Sequence, residues 1–201
     1  MTPLKQSRHR FRLAAVLAIA AGALCSAPAS AGPIPLDTWL EFGFTDAGIA
    51  ARGCDPADPL GGFCIPSSGT PTTFLDAPAW TFSSLTPTKL VVTDAFLSGD
   101  RFQLFDFGVS LGLTSLPGVP PVDCGDDPVV CLATAGISTG IFSLAAGSHS
   151  LTLIPVLSPD GGGSGYLQVV PEPASLLLLA TGLGLSFRRW SASAPRVRRN
   201  S

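Results

Sequence analysis

The clearest structural signal in the sequence lies between Lys89 and Thr114, which read KLVVTDAFLSGDRFQLFDFGVSLGLT. β-Branched and aromatic residues fill this stretch, and apolar and polar residues alternate with the two-residue period of a half-buried strand. Gly and Asp interrupt the pattern where turns are expected. We therefore predict three consecutive strands here, at 89–97, 101–107 and 109–114.

The dipeptide Gly99-Asp100 between the first two strands is typical of a two-residue type II′ hairpin turn, which would pair Thr93 with Asp106. Three aspartates flank this hairpin: Asp94, Asp100 and Asp106. Carboxylates that converge with backbone carbonyls can hold Ca²⁺. The two-residue turn puts Asp94 and Asp106 on opposite faces, whereas a three-residue loop would bring both to one face. A Ca²⁺ site and solvated or capping aspartates therefore both stay open.

Further short strands surround this region at regular spacing. The glycine-rich run 161–165 separates two of them, and it favours a flexible hairpin because the Lys and the helix of a phosphate-binding loop are missing. These strands predict an all-β fold, an antiparallel β-sandwich of jelly-roll-like topology. An N-terminal signal helix and a short C-terminal transmembrane helix would flank it. The additional strands are predicted at 36–44, 79–83, 140–144, 150–156 and 165–170.

Residues 1–31 have the three parts of a secretory signal peptide. Basic residues precede a 12-residue apolar run, Leu13–Leu24, and the small residues Ala29 and Ala31 predict cleavage before Gly32. The apolar run is too short for a bilayer, which needs about 20 residues. We therefore predict that the chain enters the secretion machinery and loses this segment.

The C-terminal end of the chain carries a second targeting segment. Pro171-Glu172-Pro173 precedes an apolar run over 174–187, and Arg188 and Arg189 follow. The prolines favour an extended segment before the run, which as a helix would be about 21 Å long. This length falls short of a hydrocarbon core of about 30 Å, and arginine side chains that snorkel to the interface can make up the difference. An arginine-rich tail without acidic residues stays in the cytoplasm. The pattern predicts a short transmembrane helix that stops at Arg188.

This order of tripeptide, apolar helix and basic tail resembles the PEP-CTERM sorting signal, here 170–201. The resemblance implies an exosortase substrate, which this membrane transpeptidase-like enzyme cuts near Pro171-Glu172-Pro173. It implies an inner-membrane anchor with the domain on the periplasmic side before processing, and a cell-surface or extracellular location afterwards. Bacteria with this system usually make exopolysaccharide and biofilm, so polysaccharide is an expected contact. A plain C-terminal anchor without processing is the alternative.

The exported domain is predicted to cover 32–169. Its segments 79–82, 91–102 and 105–108 resemble the core of a β-domain that recurs in exported PEP-CTERM proteins. This second resemblance implies a fold and no particular activity.

Four cysteines remain after Cys25 leaves with the signal peptide: Cys54, Cys64, Cys124 and Cys131. An even number in an exported chain argues for disulfides, and three pairings are possible. We favour the local pairs Cys54–Cys64 and Cys124–Cys131, because each brackets a loop of turn-forming residues.

The exported part of the sequence offers few groups for catalysis. It carries three of the 12 basic residues and all 14 acidic residues, a net charge of −11, which disfavours nucleic acid as a partner. Its one histidine, His149, follows Gly147-Ser148, so we expect a surface turn residue. The motif HExxH is missing from the sequence. We expect no enzymatic activity and no obligatory cofactor.

Three hypotheses for function follow from these observations. The first is a non-enzymatic surface or matrix protein, structural, adhesive or glycan-contacting, in exopolysaccharide or biofilm. The second is a secreted hydrolase that uses aspartate carboxylates. The third is a binding module stabilised by Ca²⁺.

Overall fold

The structure, a computed structural model, describes residues 32–172. The predicted signal peptide, with its cleavage residues Ala29 and Ala31, lies outside the described residues. So do Pro173, the predicted transmembrane helix 174–187 and the arginines at 188 and 189. Between residues 32 and 172, no helix is both long and apolar enough to cross a membrane.

Nine strands and one short helix make up the described part of the chain. Most strands lie within two residues of their predicted positions, while β2 and the helix were not predicted. The elements in chain order are β1 (Trp39–Phe44), β2 (Thr72–Phe74), β3 (Trp80–Ser84), β4 (Thr88–Asp94), β5 (Arg101–Asp106), β6 (Val109–Leu113), α1 (Pro128–Ala133), β7 (Thr139–Leu144), β8 (Gly147–Leu157) and β9 (Gly163–Pro171).

The strands form two sheets, with the orders β2-β1-β9-β4-β7 and β3-β8-β5-β6. The short strand β2 adds in parallel to β1 at one edge, and the other neighbouring pairs are antiparallel. Leaving β2 aside, the first four strands pair with the last four in reverse order: β1 with β9, β3 with β8, β4 with β7 and β5 with β6. This rolled-up hairpin is a jelly roll, which confirms the predicted fold.

The two sheets pack face to face over one apolar core. Phe42 of β1 and Val92 of β4 enter it from the five-stranded sheet, and Trp80 of β3 and Phe102 of β5 enter from the other. All four are at most 1% exposed. The rings of Phe42 and Phe102 meet edge to face with centroids 5.4 Å apart, a favourable aromatic geometry. The core thus joins both sheets into a sandwich.

The outer face of the five-stranded sheet is buried as well. Trp39, Val91 and Tyr166 belong to a second apolar cluster, together with Cys124 and Cys131 from the segment that carries α1. A helix of six residues is too short to produce a recognisable helical period in the sequence, so α1 was missed.

Both disulfides link the local pairs that the spacing favoured, Cys54–Cys64 and Cys124–Cys131. The first lies beside Glu41 of β1. The second ties α1 to the loop before it.

The predicted hairpin at Gly99-Asp100 is wrong, because β4 and β5 lie in different sheets. The first strand of this pair ends at Asp94, where the chain leaves the sheet, and Phe96 has a φ of 55°. Residues 96 and 98 donate their N–H groups to the carbonyls of Gly125 and Val122 instead. The run 161–165 likewise connects β8 and β9 in different sheets and is a crossover, not a hairpin.

Candidate functional site

His149 is a buried polar residue of the four-stranded sheet and lies beside a surface pocket. Its Nδ1 lies 2.8 Å from Oδ2 of Asp106, and its Nε2 lies 3.0 Å from the carbonyl oxygen of Ala145. Both ring nitrogens therefore already face protein oxygen atoms. The ring of Phe82 stacks on the imidazole with centroids 4.8 Å apart.

The prediction that His149 is a surface turn residue is therefore wrong. Strand β8 already begins at Gly147, and alternation along it turns His149 to the same buried face as Leu151 and Leu153. Only 7% of the histidine is exposed.

A strained turn borders this pocket. Phe107 and Gly108 form the two-residue connection between β5 and β6, with φ values of 47° and 77°. Positive φ at both positions defines a type I′ turn, for which Asn-Gly is strongly preferred. Phenylalanine in this conformation costs about 1–2 kcal/mol. Its ring is nevertheless 65% exposed, so burial does not offset the strain.

The pocket at this turn has a volume of about 430 Å³. The exposed Phe107 contributes aromatic surface, and Ser83 and Ser148 contribute hydroxyl groups, whereas the side chains of Phe82 and His149 are buried, with 4% and 7% exposed. The two serine hydroxyls lie 2.9 Å apart on neighbouring strands. A wall that combines exposed aromatic surface with hydroxyl groups fits a neutral polyhydroxy ligand, whose C–H faces pack on rings and whose hydroxyls exchange hydrogen bonds.

The same geometry does not fit a serine hydrolase. A serine nucleophile needs a hydrogen bond to the histidine that takes its proton. Here Nε2 of His149 faces a backbone carbonyl, and the hydroxyl of Ser148 pairs with Ser83. No serine among residues 32–172 is hydrogen-bonded to the imidazole.

The three aspartates considered for Ca²⁺ do not converge. Asp94 and Asp100 are neighbours, but the oxygens of Asp94 accept N–H groups from Ala95, Gly99 and Asp100, so Asp94 caps the crossover after β4. Asp106 lies in the other sheet with His149.

Burial, reinforced by the charge of Asp100, raises the pKa of Asp94 to about 8. Asp94 is fully buried, so its carboxyl group has no surface open to a ligand.

One group in the described part of the chain has metal-ligand spacing: Glu41, Cys54 and Cys64, whose candidate ligand atoms lie within 4.8 Å of one another. Its two sulfurs are bonded to each other, and it is the thiolate that binds metals. The oxidised protein therefore offers no metal site there.

The start of the sorting motif is built into the fold. Strand β9 extends to Pro171, which pairs with Thr88, and the N–H of Glu172 donates to the carbonyl of Pro87 at 2.8 Å. The Glu172 carboxylate lies 3.9 Å from Nζ of Lys89. The last strand thus leads into the tripeptide without a linker.

The predicted new N-terminus is also fixed. The backbone nitrogen of Gly32 donates to Oδ2 of Asp76 at 2.7 Å. The next residues run beside β3, where the N–H of Ile34 donates to the carbonyl of Thr81.

Phe107 and Glu41 were not predicted as functional residues from the sequence. Phe107 stands where a type I′ turn usually has Asn, so an aromatic residue directly before Gly108 was the available signal. Glu41 stands inside the apolar run WLEFGF, where a charged residue is unusual.

Comparison with known proteins gives one family match. Residues 169–189 match the model of the PEP-CTERM protein-sorting motif. No curated protein and no solved structure matches the chain. The matched segment begins in β9 and covers the tripeptide, the apolar run and the first arginines. The chain thus carries a PEP-CTERM protein-sorting motif, which implies export, a membrane anchor before processing and processing by an exosortase.

Proposed function

We propose that the chain is a non-enzymatic protein of the cell surface or extracellular matrix, and that its jelly-roll domain contacts polysaccharide through the pocket at Phe107. Exosortase processing would deliver the domain to the cell exterior, where exopolysaccharide is the abundant polymer. The single observation that carries the proposal is the exposed, strained Phe107 ring beside paired serine hydroxyls. Strain of this kind concentrates at functional positions.

The charge of the domain agrees with a neutral ligand. With a net charge of −11 between Asp37 and Glu172, the exported part repels polyanions at long range. The residues that line the pocket include no Asp, Glu, Lys or Arg, so its serine hydroxyls offer hydrogen bonds without a charged side chain. A neutral or weakly charged glycan therefore suits this pocket better than a highly acidic one.

Titration calorimetry of the exported protein with soluble exopolysaccharide from the producing cells tests the proposal. We expect Phe107→Ala to weaken binding by about tenfold, because the main apolar contact is lost. Phe63→Ala is the matched control, since Phe63 is 84% exposed and does not line the pocket. Equal binding by Phe107→Ala and the wild type, or no binding by either, would contradict a glycan site here.

A further inference from the structure

Glu41 is a buried carboxyl group without a hydrogen-bond partner. It lies in the middle of β1, between Leu40 and Phe42, which both face the sandwich core. Alternation along the strand turns Glu41 to the opposite face, where it is 0% exposed. Neither carboxyl oxygen has a hydrogen-bond partner among the described residues, and neither does the hydroxyl of Ser164 on the neighbouring strand.

Burying such a group is costly, and a glutamine or a leucine would fill the same space at lower cost. Burial raises the pKa of Glu41 to about 7, and the nearby Ser164 hydroxyl and Ile65 N–H offset part of this effect without forming hydrogen bonds. The other titratable groups that act on it are Asp126 and Tyr166. Glu41 can thus exchange a proton near neutral pH.

The Cys54–Cys64 disulfide lies directly beside this carboxyl. A carboxyl oxygen of Glu41 and the two sulfurs lie within 4.8 Å of one another. The sulfur of Cys54 also lies 3.3 Å from the backbone carbonyl oxygen of Glu41. Cys54 is fully buried, whereas Cys64 is nearer the surface with 4% exposed. An incoming thiol or disulfide reagent would therefore meet Cys64 first.

We propose that Glu41 is the general base that takes the proton of Cys54 when this disulfide closes, and the general acid that returns it when the disulfide opens. The inference is independent of glycan binding. It rests on an unpartnered carboxyl beside two sulfurs, an arrangement that the second disulfide lacks among residues 32–172.

The oxidation balances with a small-molecule or protein disulfide as oxidant. The Cys64 thiolate attacks one sulfur of the oxidant, whose S–S bond breaks and releases a first thiolate. Cys54 then loses its proton to the Glu41 carboxylate while its sulfur attacks the Cys64 sulfur of the mixed disulfide. The second thiolate leaves, and the two released thiolates take up the two protons lost by the cysteines. Two thiols of the chain are oxidised, and one disulfide of the oxidant is reduced to two thiols.

Disulfide closure in the exported protein tests this role. The protein is reduced under native conditions, freed of reductant and mixed with oxidised glutathione; alkylation and mass spectrometry then follow each disulfide separately. We expect Glu41→Gln to slow closure of Cys54–Cys64 by about tenfold at pH above 7, because the base is lost. Closure of Cys124–Cys131 in the same molecules serves as the internal control and keeps its wild-type rate.

The pH profile separates proton transfer from a structural effect. The ratio of the wild-type rate to the Glu41→Gln rate should grow as pH rises through about 7, where the carboxylate becomes populated. Glu41→Asp, which keeps a carboxyl group, should recover part of the rate. The proposal is overturned if Glu41→Gln closes Cys54–Cys64 at the wild-type rate, or if both disulfides slow equally.

Discussion

Pro171 pairs with Thr88 at the end of β9, so the sorting tripeptide begins inside the sheet. Val169, two residues earlier, is fully buried in the sandwich core, and Glu172 donates its N–H to Pro87. The folded domain and the matched sorting motif therefore share residues 169–172. Peptide bonds before Glu172 are held in the fold, whereas a cut after Glu172 would leave β9 intact.

Because of this overlap, we expect Val169, the first residue of the matched motif, to stabilise the folded domain. Val169→Ala should lower the free energy of unfolding by about 2 kcal/mol, because it removes buried methyl groups from the core. Val170→Ala is the matched control: Val170 is half-buried on the other face, and we expect a smaller effect. Urea unfolding of the exported protein measures both. Equally small losses would show that β9 ends before the motif.

Replacing Phe107 should change the stability of the fold and the binding of polysaccharide in opposite directions. Phe107→Asn places a residue that tolerates positive φ in the type I′ turn, so we expect the free energy of unfolding to rise by about 1 kcal/mol. The same change removes the exposed ring, so polysaccharide binding should fall. Thermal unfolding and calorimetry on one preparation check both. A loss of stability would contradict the strain, and unchanged binding would contradict the function.

Burial of Glu41 should make the stability of the fold fall as pH rises from acid to neutral. Its pKa rises from 4.5 in the unfolded chain to about 7 on folding, so the folded state holds a proton that the unfolded state has lost between these two values. In that window the free energy of unfolding should fall by about 1.4 kcal/mol per pH unit, and the contribution of Glu41 should level off above about 7. Asp94, with a pKa of about 8, acts in the same direction.

Unfolding curves between pH 5 and about 9 measure this dependence. Glu41→Gln should flatten the profile, while Asp46→Asn, which removes an exposed carboxyl, should leave it unchanged. Parallel profiles for Glu41→Gln and the wild type would rule out a buried titration at Glu41.

We expect signal peptide cleavage to strengthen the contact between the backbone nitrogen of Gly32 and the Asp76 carboxylate. Cleavage before Gly32 would turn its nitrogen, 2.7 Å from Oδ2 of Asp76, into an ammonium group. Asp76→Asn should then cost the mature protein about 1 kcal/mol, because a charge-assisted hydrogen bond is lost. One extra Ala before Gly32 converts the ammonium to an amide and should shrink this cost. Equal costs in both forms, measured by thermal unfolding, would refute the charge pairing.

The sequence predicted individual strands better than their partners. Alternation located β5 closely, because burial of every second residue is local information. The turn chemistry of Gly99-Asp100 suggested a hairpin, yet in a jelly roll β4 pairs with β7 and β9, far along the chain. Pairing of this kind depends on the closed core, so a dipeptide does not reveal it.

The pairing of His149 with Asp106 could not be predicted from the sequence for a similar reason. His149 and its partner Asp106 are 43 positions apart, and only the register of β5 with β8 brings them together. The sorting motif, in contrast, is contiguous, so its residues could be recognised from the sequence and matched the family model.

The most direct test of exosortase sorting is the intact mass of the exported protein from cells with and without the exosortase gene. With the enzyme, we expect a chain that begins at Gly32, ends at Glu172 or shortly after it, and lacks the arginine-rich tail. Without the enzyme, the tail should remain and hold the protein in the membrane. An exported protein that keeps Arg188 and Arg189 in both strains would contradict the account.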